Sequence, residues 1–448
     1  MPYQMSLALD LSFSHHQGRW RLPGSWVGYN FPDLRVYKEL ALAAERGCMD
    51  MIFFGDGTGI PSTYENSIDA AVRWGIGSPR QDMSPFIAAL AQETSNIGFG
   101  LTYSSTFLPP FYVARLLNSL DHITKGRMAF NIVTSSRGAD AANYGFDELM
   151  DHDARYRRME EFVEVCTALW RSVGRDAYQW DRESGHVADP SLVAPINHDG
   201  EFFKVKGPLN TVPSPQQAPV LIQAGGSPRG IQASSRFADV IFGGAFKNQH
   251  RAEHRRALDA ALVESGRDPE KVGILWDLQL IVGQSSADAK ARKDQLQGLL
   301  PREAAAAQMS HNSGLDFSQL PSRFTLAELT QEVIAKNASP VTFRDLIAEY
   351  GEGYEMTPDE LIDSAWRTAT GYDHTIAGSA EEVADYLEES YEASGSRGGF
   401  MIAHPQVTPR DLIDVVGLLI PELQRRGRFR TSYEGTTLRD TLGVPAFA

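Results

Sequence analysis

Cysteine, export signals and long hydrophobic runs are scarce or missing in this sequence. Its 448 residues include only two cysteines, Cys48 and Cys166, each at an apolar position of a helix-like run. Both are expected to be buried thiols in a reducing compartment, so no disulfide framework is predicted. No run approaches the roughly eighteen apolar residues of a membrane span, and the start, MPYQMSLALDLSFSHH, lacks a basic region followed by an apolar one. We therefore expect a cytoplasmic protein with no membrane partner.

An excess of positive charge is missing as well. Forty-two basic residues against fifty-seven acidic ones give a net charge of −15, which disfavours binding to nucleic acid or to anionic lipid. Even the basic run RRGRFR (Arg425 to Arg430) is interpreted as solvated surface. With 42% hydrophobic and 22% charged residues, the composition is that of a globular protein that can build a sizeable core.

The patterns of two common enzyme classes are not found. No G-x-G-x-x-G follows the first strand-like run, which argues against a Rossmann dinucleotide site. His15 and His16 are adjacent, so in a strand they would point to opposite faces and could not bind one metal ion together. No cluster of Cys or Glu completes a ligand set. A metal-dependent hydrolase barrel therefore stays only a secondary alternative.

Strand-like apolar runs alternate with helix-like segments along the whole chain. This alternation is typical of βα units around a parallel sheet, and eight runs favour a closed (β/α)₈ TIM barrel of the α/β class. The predicted strands are Met5 to Phe13, Met49 to Asp56, Ile97 to Thr106, Met128 to Ser135, Val220 to Gly225, Asp239 to Gly244, Ile274 to Gly283 and Gly398 to His404.

Capping residues indicate where several helices begin and end. Asp33 is predicted to cap a helix that follows Phe31-Pro32, and Gly47 stands where a left-handed residue would end it. A second helix is predicted after Asp153, because apolar residues recur there at helical spacing. Each helix is expected to pack its apolar face on the barrel.

Two intervals are too long for a simple βα repeat. They cover about 136–219 and 300–373, and we interpret both as insertions into a single barrel domain that spans 1–448. The first contains a predicted hairpin from His198 to Asn210. The second contains Ser310 to Phe324, a segment rich in turn-forming and apolar residues, which is a candidate lid.

The ends of the predicted strands carry hydroxyl groups and glycines. Active sites of such barrels form at these C-terminal ends, where Thr102 and Ser135 are found. The turn GGSPRG (Gly225 to Gly230) leaves a strand and enters a helix at Pro228, so Ser227 and the following backbone N–H groups are suited to an anion such as phosphate. A purely structural turn would explain the same glycines.

Other candidate residues also have both a functional and a structural interpretation. His152 and Tyr156 are four residues apart at a predicted helix start and would share one face, which looks either into the barrel or into solvent. The remaining candidates are equally consistent with a helix cap, with the apolar core or with an exposed loop: Asp56, Phe53, Phe242 and His311.

Several longer stretches resemble one known family, both in their amino-acid sequence and in their order along the chain. The chain is similar to the bacterial luciferase-like superfamily, and within it to the flavin-dependent monooxygenases that act on nitrilotriacetate, EDTA and dibenzothiophene sulfone. The resembling stretches extend over essentially the whole chain: ERGCMDMIFFGDG (Glu45 to Gly57), TFLPPFYVARLLNSLDHITKGRMAFNIVTS (Thr106 to Ser135), HDARYRRMEEF (His152 to Phe162), HDGEFFKVKGPL (His198 to Leu209), APVLIQAGGSPRG (Ala218 to Gly230) and RGRFRTSYEGTTLRDTLG (Arg426 to Gly443).

The resemblance implies an oxygenase component that works with reduced FMN and O₂. A separate NAD(P)H-dependent flavin reductase would supply the reduced FMN, and a homodimer or homotetramer is expected. Matching positions imply His15 and His311 as catalytic residues and Phe53 and Phe242 as substrate-binding residues. They imply six residues for FMN, with Ser227 on its phosphate: Asp56, Thr102, Ser135, His152, Tyr156 and Ser227.

Other functions on the same barrel stay open at this point. A hydride-transferring oxidoreductase that uses a flavin or deazaflavin would need no O₂, and a non-catalytic binding barrel would need no cofactor. As to the substrate, Phe53 and Phe242 carry no charge, and no arginine cluster suited to several carboxylates is evident. The sequence therefore favours an organosulfur or aromatic xenobiotic.

Overall fold

The fold is a closed barrel of eight parallel strands. The computed structural model describes residues 4–12, 18–27, 31–135, 137–335, 343–369, 371–403 and 408–447. The barrel strands follow one another around the wall, the last pairing with the first, and all eight confirm the predicted ones: β1 (Ser6–Asp10), β2 (Met51–Phe54), β3 (Gly98–Ser104), β4 (Met128–Val133), β7 (Val220–Ala224), β8 (Val240–Gly243), β9 (Gly273–Val282) and β13 (Gly398–Ala403).

Five short strands lie outside the barrel wall. One of them, β12 (Thr375–Gly378), pairs in parallel with β9 and was not predicted. The predicted hairpin between His198 and Asn210 is present as β5 (His198–Asp199) and β6 (Lys204–Val205), in an antiparallel sheet of its own. A second small sheet joins β10 (Phe324–Thr325) to β11 (Glu355–Met356).

Helices surround the barrel and fill the two long intervals. In chain order they are α1 (Leu34–Arg46), α2 (Asp69–Trp74), α3 (Ser84–Glu93), α4 (Pro110–Ile123), α5 (Gly138–Asn143), α6 (His152–Arg171), α7 (Pro228–Ser234), α8 (Asn248–Glu264), α9 (Ser286–Asp294), α10 (Arg302–Ser313), α11 (Leu326–Ala335), α12 (Arg344–Tyr350), α13 (Pro358–Ala369), α14 (Ala380–Ala393), α15 (Pro409–Asp414), α16 (Ile420–Arg425) and α17 (Leu438–Leu442). Within the described ranges, none is long and apolar enough to cross a bilayer.

The ends of α1 show one prediction confirmed and one corrected. Asp33 caps the helix by accepting a hydrogen bond from the backbone N–H of Arg35 at 2.9 Å. Gly47 is not left-handed, since its φ is −77°, and Cys48 takes the positive φ of 59° instead. Glycine is needed at 47 for space, because a Cβ there would lie 2.8 Å from Cδ1 of Ile420.

The N-terminal end of the barrel is closed by the C-terminal tail. Leu438, at the start of α17, is fully buried in the apolar cluster that fills the barrel interior together with Ala8 and Val240. A Cβ on Gly98 would lie 2.5 Å from a methyl carbon of Leu438. Leu438 of the tail thus packs into this end of the barrel, whereas functional sites of such barrels form at the opposite end, where the strands terminate.

An internal ion pair fixes the same tail to the first strands. Asp50 is fully buried and accepts hydrogen bonds from the backbone N–H of Leu7 at 2.7 Å and from Nη2 of Arg430 at 2.6 Å. Burial raises the pKa of Asp50 to about 6, although Arg430 opposes the shift. The prediction that the RRGRFR run is solvated surface is wrong for Arg430, which completes this buried contact.

Removing Arg430 should therefore destabilise the protein strongly. Arg430→Ala leaves the Asp50 charge buried without its cation, and we expect a loss of about 3–5 kcal/mol in the free energy of unfolding, measured by denaturant titration. Arg425→Ala is the matched control, because Arg425 pairs with Glu422 on the surface with 70% of its side chain exposed. Equal effects of both substitutions would contradict the structural role of the Asp50 contact.

Two acidic side chains face the interior of the barrel near its open end. Alternate residues of a strand share a face, so Asp10 and Asp277 follow Ala8 and Leu275 of the interior cluster on β1 and β9. Burial raises the pKa of both carboxyl groups, and the negative charge of Asp10 adds to the effect on Asp277, whose pKa rises to about 7. Their ionisation therefore opposes folding.

This cost predicts a pH-dependent gain in stability on neutralising Asp277. A raised pKa means that the native state holds its proton longer than the unfolded chain, so stability falls as the pH rises from about 4 to about 7. Asp277→Asn should remove that loss, a gain of about 4 kcal/mol at pH 8 that shrinks to about 1.5 kcal/mol at pH 5. Denaturant unfolding at both pH values measures it, with the exposed Asp176→Asn as control; a pH-independent difference would argue against the assignment.

Candidate active site

The predicted site residues lie on neighbouring strands and loops at the open end of the barrel. Thr102 is on β3, Asp56 follows β2, Ser135 follows β4 and Ser227 follows β7. His15 lies outside the described residues. Because parallel strands end at one rim, these positions converge although the chain brings them from distant segments.

Thr102 faces the barrel interior and is linked to a residue that sequence analysis did not single out. Its Oγ1 accepts a hydrogen bond from Nδ2 of Asn131 at 3.0 Å, and the two side chains are 2% and 4% exposed. Oδ1 of Asn131 is buried and has no hydrogen-bond partner in the described chain. An unpaired buried acceptor is costly unless a ligand or water supplies a donor, so this atom is a candidate contact for a bound group.

A strained turn follows β4 at Ser135. Its φ is +50°, an uncommon value for a residue with a side chain. The Ser135 hydroxyl donates to Oγ of Ser104 at 2.9 Å, and the Ser135 carbonyl accepts a hydrogen bond from the guanidinium of Arg155. Arg155 is 2% exposed. It belongs to the HDARYRRMEEF stretch that resembles the family, but sequence analysis did not single it out. It fixes the turn that presents Ser135.

His152 and Tyr156 share one face of α6, as predicted. Their ring centroids are 5.0 Å apart. A Cβ added to Gly230 would lie 3.1 Å from the Tyr156 hydroxyl and 3.2 Å from Oγ of Ser227. The Ser227 oxygen also accepts the backbone N–H of Gly230 at 3.1 Å. The hydroxyl groups of Tyr156 and Ser227 thus both lie close to Gly230, where a residue with a side chain would crowd them.

The cradle of Tyr156, Ser227 and Gly230 is held in position by an ion pair. The guanidinium of Arg229 lies 5.0 Å from the centre of the Tyr156 ring. It also donates two hydrogen bonds of 2.9 Å to the carboxylate of Glu160 on α6. This bidentate contact joins α6 to the turn before α7. A ligand at the cradle therefore meets preorganised groups.

Asp56 lies at the rim beside two arginines that sequence analysis did not bring together. Burial raises the pKa of Asp56. Arg80 donates to the carbonyl of Gly55 at 3.2 Å, and Nη1 of Arg137 lies 2.9 Å from the place of a Cβ on Gly57. The expectation that no arginine cluster is available is therefore wrong, since the loops after β2 and β4 bring these two cations to one rim.

A cavity of about 410 Å³ opens next to Asp56 and Arg80. Its walls include the side chains of Tyr103 and Tyr144. The neighbouring loop is fixed by Asp140, whose buried carboxylate accepts the backbone N–H groups of residues 58 and 59 at 2.8 and 2.6 Å. The rim is thus a rigid, polar and aromatic opening.

Phe53 and Phe242 stack on one another inside the barrel. Their ring centroids are 5.8 Å apart and their planes differ by 12°. Phe53 is 5% exposed, whereas Phe242 keeps more of its surface accessible. The pair is continuous with the apolar interior cluster. Phe53 pairs with Gly100 in the strand register, two residues before Thr102, so the pair forms an apolar floor below the level of Thr102.

The sequence suggested that His311 lies in a loop. It lies instead in the last turn of α10, where it is half-buried. Its Nε2 lies 4.0 Å from the place of a Cβ on Gly77, and Gly77 lines the same cavity as Asp56. The second long interval thus brings a histidine close to the rim. Among the described residues, no group of three or more His, Cys, Asp or Glu side chains is arranged to hold a metal ion.

Comparisons with known proteins agree with this geometry. The family model for luciferase-like monooxygenases matches residues 9–398. The chain is 33% identical over 445 residues to dibenzothiophene-sulfone monooxygenase of Rhodococcus erythropolis, which covers 98% of this chain and 97% of the relative. It is 34% identical over 450 residues to nitrilotriacetate monooxygenase component A of Aminobacter aminovorans, with coverage of 98% and 96%.

A solved structure extends the similarity to the whole architecture. Riboflavin lyase RcaE, crystallised with modified FMN and riboflavin, superposes with a TM-score of 0.86 at 28% identity, covering 99% of this chain and 97% of that one. Both enzyme relatives are monooxygenases, and the one from Aminobacter aminovorans is named component A of its enzyme. The chain is therefore a member of the luciferase-like monooxygenase family.

Proposed function

We propose that this protein is the oxygenase component of a two-component system that uses reduced FMN and O₂ to oxygenate a small organic compound. The observation that carries the proposal is the cradle where the hydroxyl groups of Tyr156 and Ser227 meet at Gly230. A phosphate placed there would accept hydrogen bonds from these two hydroxyl groups at the N-terminal end of α7. A flavin mononucleotide ends in such a phosphate.

Residues next to the cradle and at the strand ends would hold the rest of an FMN molecule. His152 and Ser135 would contact the part of the cofactor next to the phosphate. Thr102 and Asp56 would contact its ring system, and the unpaired Oδ1 of Asn131 supplies an acceptor close to Thr102. Bound reduced FMN would supply the electrons with which O₂ is activated.

The chain's own residues would keep the reacting groups dry and in place. Phe53 and Phe242 exclude water from the floor of the site and would pack against an apolar part of the substrate. His311, half-buried near the rim, is proposed to hold or transfer a proton at the oxygen being delivered. His15 is proposed for the same role from the end of the first strand.

The substrate we propose is an organosulfur or aromatic compound. The apolar floor supports it, and so does the name of the relative that acts on dibenzothiophene sulfone. Two-component relatives support a separate flavin reductase as the partner. A cytoplasmic location is supported by the two free thiols of Cys48 and Cys166, and a homodimer or homotetramer stays a prediction of the family resemblance.

Loss of one cradle hydroxyl should weaken the binding of reduced FMN. Ser227→Ala and Tyr156→Phe each remove a hydrogen bond to a charged phosphate, worth about 1.5–3 kcal/mol, so Kd should rise about ten- to a hundredfold. Anaerobic titration of the protein with reduced FMN, followed by fluorescence, measures the change.

The matched control for Ser227 is Ser285→Ala. Ser285 caps α9 through a hydrogen bond from the N–H of Asp288 at 3.2 Å, so its loss tests the effect of removing a helix cap far from the site. If reduced FMN fails to bind the wild-type chain, or if both serine variants bind it equally well, the assignment of the cradle to FMN is wrong.

Replacement of His311 should affect chemistry but not cofactor binding. We expect His311→Ala to lower the fraction of reduced FMN whose oxidation yields oxygenated product by about tenfold or more, since a positioned acid or base contributes roughly 10²–10⁴-fold, with Kd for reduced FMN unchanged. Product formed per FMN oxidised in single-turnover mixing with O₂ measures it. The exposed His186→Ala is the control, and an unchanged product yield in His311→Ala would remove His311 from the mechanism.

A further inference from the structure

The two acidic residues inside the barrel have no role in the function proposed above. Asp10 and Asp277 lie on β1 and β9, the strands on either side of β13. In the strand register, Ala8 and Asp277 both pair with Met401 of β13. The two carboxylates therefore face the interior at neighbouring heights, and Asp10 lies beside Phe53, its register partner on β2.

Neither carboxylate is neutralised within the described chain. Asp10 accepts hydrogen bonds from the backbone N–H of Ser12, at 2.7 Å, and from the Ser12 side chain. The positive charges of Arg80 and Arg251 lower the pKa values of Asp10 and Asp277 respectively, but among the described residues no ion pair is formed with either carboxylate. A carboxylate removed from water is ordinarily paired with a cation or satisfied by several hydrogen-bond donors, as Asp50 is by Arg430 and by the backbone N–H of Leu7.

Open space adjoins these carboxylates. Asp10, Asp277 and Phe242 are only partly buried, and Ala224, which follows Ile222 on the inner face of β7, is exposed although its strand belongs to the barrel wall. The barrel interior is therefore filled below this level and accessible at it. A group that enters from the rim can reach both carboxylates.

A second acceptor without a partner faces the same space. Asn131 is on the opposite side of the barrel and is 4% exposed, and its Oδ1 has no hydrogen-bond partner. Its Nδ2 is committed to Thr102, which fixes the orientation of the amide. Two carboxylates and an amide oxygen thus present acceptors to this space. The Ser12 side chain bonds to Asp10, but no described cation pairs with either carboxylate.

We propose that Asp10 and Asp277 bind a basic nitrogen of the substrate, so that the preferred substrates are small organosulfur or aromatic compounds that carry an ammonium group. An ammonium group has three N–H donors and no acceptor, which complements this arrangement. The apolar part of such a substrate would lie on Phe53 and Phe242. The inference rests on the proposed oxygenase function, because it concerns the substrate side of that site.

Isosteric thioethers test the inference directly. 2-(Methylthio)ethylamine carries an ammonium group, methyl propyl sulfide replaces it by a methyl group, and 3-(methylthio)propanoate reverses the charge. We expect the full-length protein with reduced FMN under anaerobic conditions to bind the amine at least about tenfold more tightly than the neutral sulfide, and the anion most weakly. Calorimetric titration gives the three Kd values.

Variants then locate the preference. Asp10→Asn and Asp277→Asn keep the side-chain shape and should each reduce the preference for the amine to about threefold or less, with the Kd of the neutral sulfide unchanged. Asp176→Asn, an exposed residue outside the site, should keep the wild-type preference. Equal binding of amine and sulfide by the wild type, or a preference that survives in the Asp10→Asn/Asp277→Asn double variant, would overturn the inference.

The experiment distinguishes a failure of this inference from a failure of the proposed function. If reduced FMN binds but the amine is not preferred, only the substrate inference is wrong. If reduced FMN does not bind, the oxygenase proposal is wrong, and the same thioethers titrated into the protein alone still show whether the two carboxylates select an ammonium group.

Discussion

The pairing of β1 with β13 closes the sheet into a barrel, and the other functional features depend on this closure. Once the first and last strands are joined, the side chains of alternate residues must point into one narrow interior. The same closure brings all eight C-terminal strand ends to one rim. Residues as distant in sequence as Asp56, Thr102, Ser135 and Ser227 become neighbours for this reason alone.

The polarity of the barrel interior changes along the barrel axis. Towards the N-terminal ends it is filled by apolar side chains, and Leu438 of the tail completes the packing. Towards the rim it contains Asn131, Asp10 and Asp277, which are buried polar groups with incomplete partners. Stability is thus concentrated at one end of the barrel. The other end keeps interactions unsatisfied, as is usual where a protein must bind something.

The barrel could be predicted from the sequence because its signals are local. Each of the eight strands is a short apolar run bounded by turn residues, and the Asp33 cap is recognisable from one residue and its position. Gly47 shows the limit of such reasoning. The presence of glycine at the end of α1 was explained by a left-handed backbone conformation. The actual reason is the side chain of Ile420, which is distant in sequence and leaves no space for a Cβ.

Much of the site could not be predicted, since it depends on contacts between distant segments. Arg80 and Arg137 come from separate loops and meet only because those loops follow neighbouring regions of the rim. Asn131 looks like an ordinary residue within a buried strand, and only the unpaired state of its Oδ1 in the folded protein marks it. Arg430 was interpreted as surface charge because its partner, Asp50, is distant from it in the sequence.

The second long interval connects the rim cavity to the outer layer of the fold. Its residues from Met309 to Leu361 contribute to an apolar cluster separate from the barrel core. Glu303 on α10 accepts hydrogen bonds from Arg73 at 2.6 Å and from the Trp74 indole at 2.9 Å. These contacts hold the segment that leads to Gly77 and the rim cavity.

The position of His311 follows from the same contacts, because α10 carries both Glu303 and His311. A change in the packing of this interval would therefore alter the loop between β2 and α3 and the placement of the histidine together, while the strands that bear Thr102, Asp10 and Asp277 stay fixed. The fold in this way separates a rigid set of interior groups from an outer layer whose variation can change the shape of the entrance.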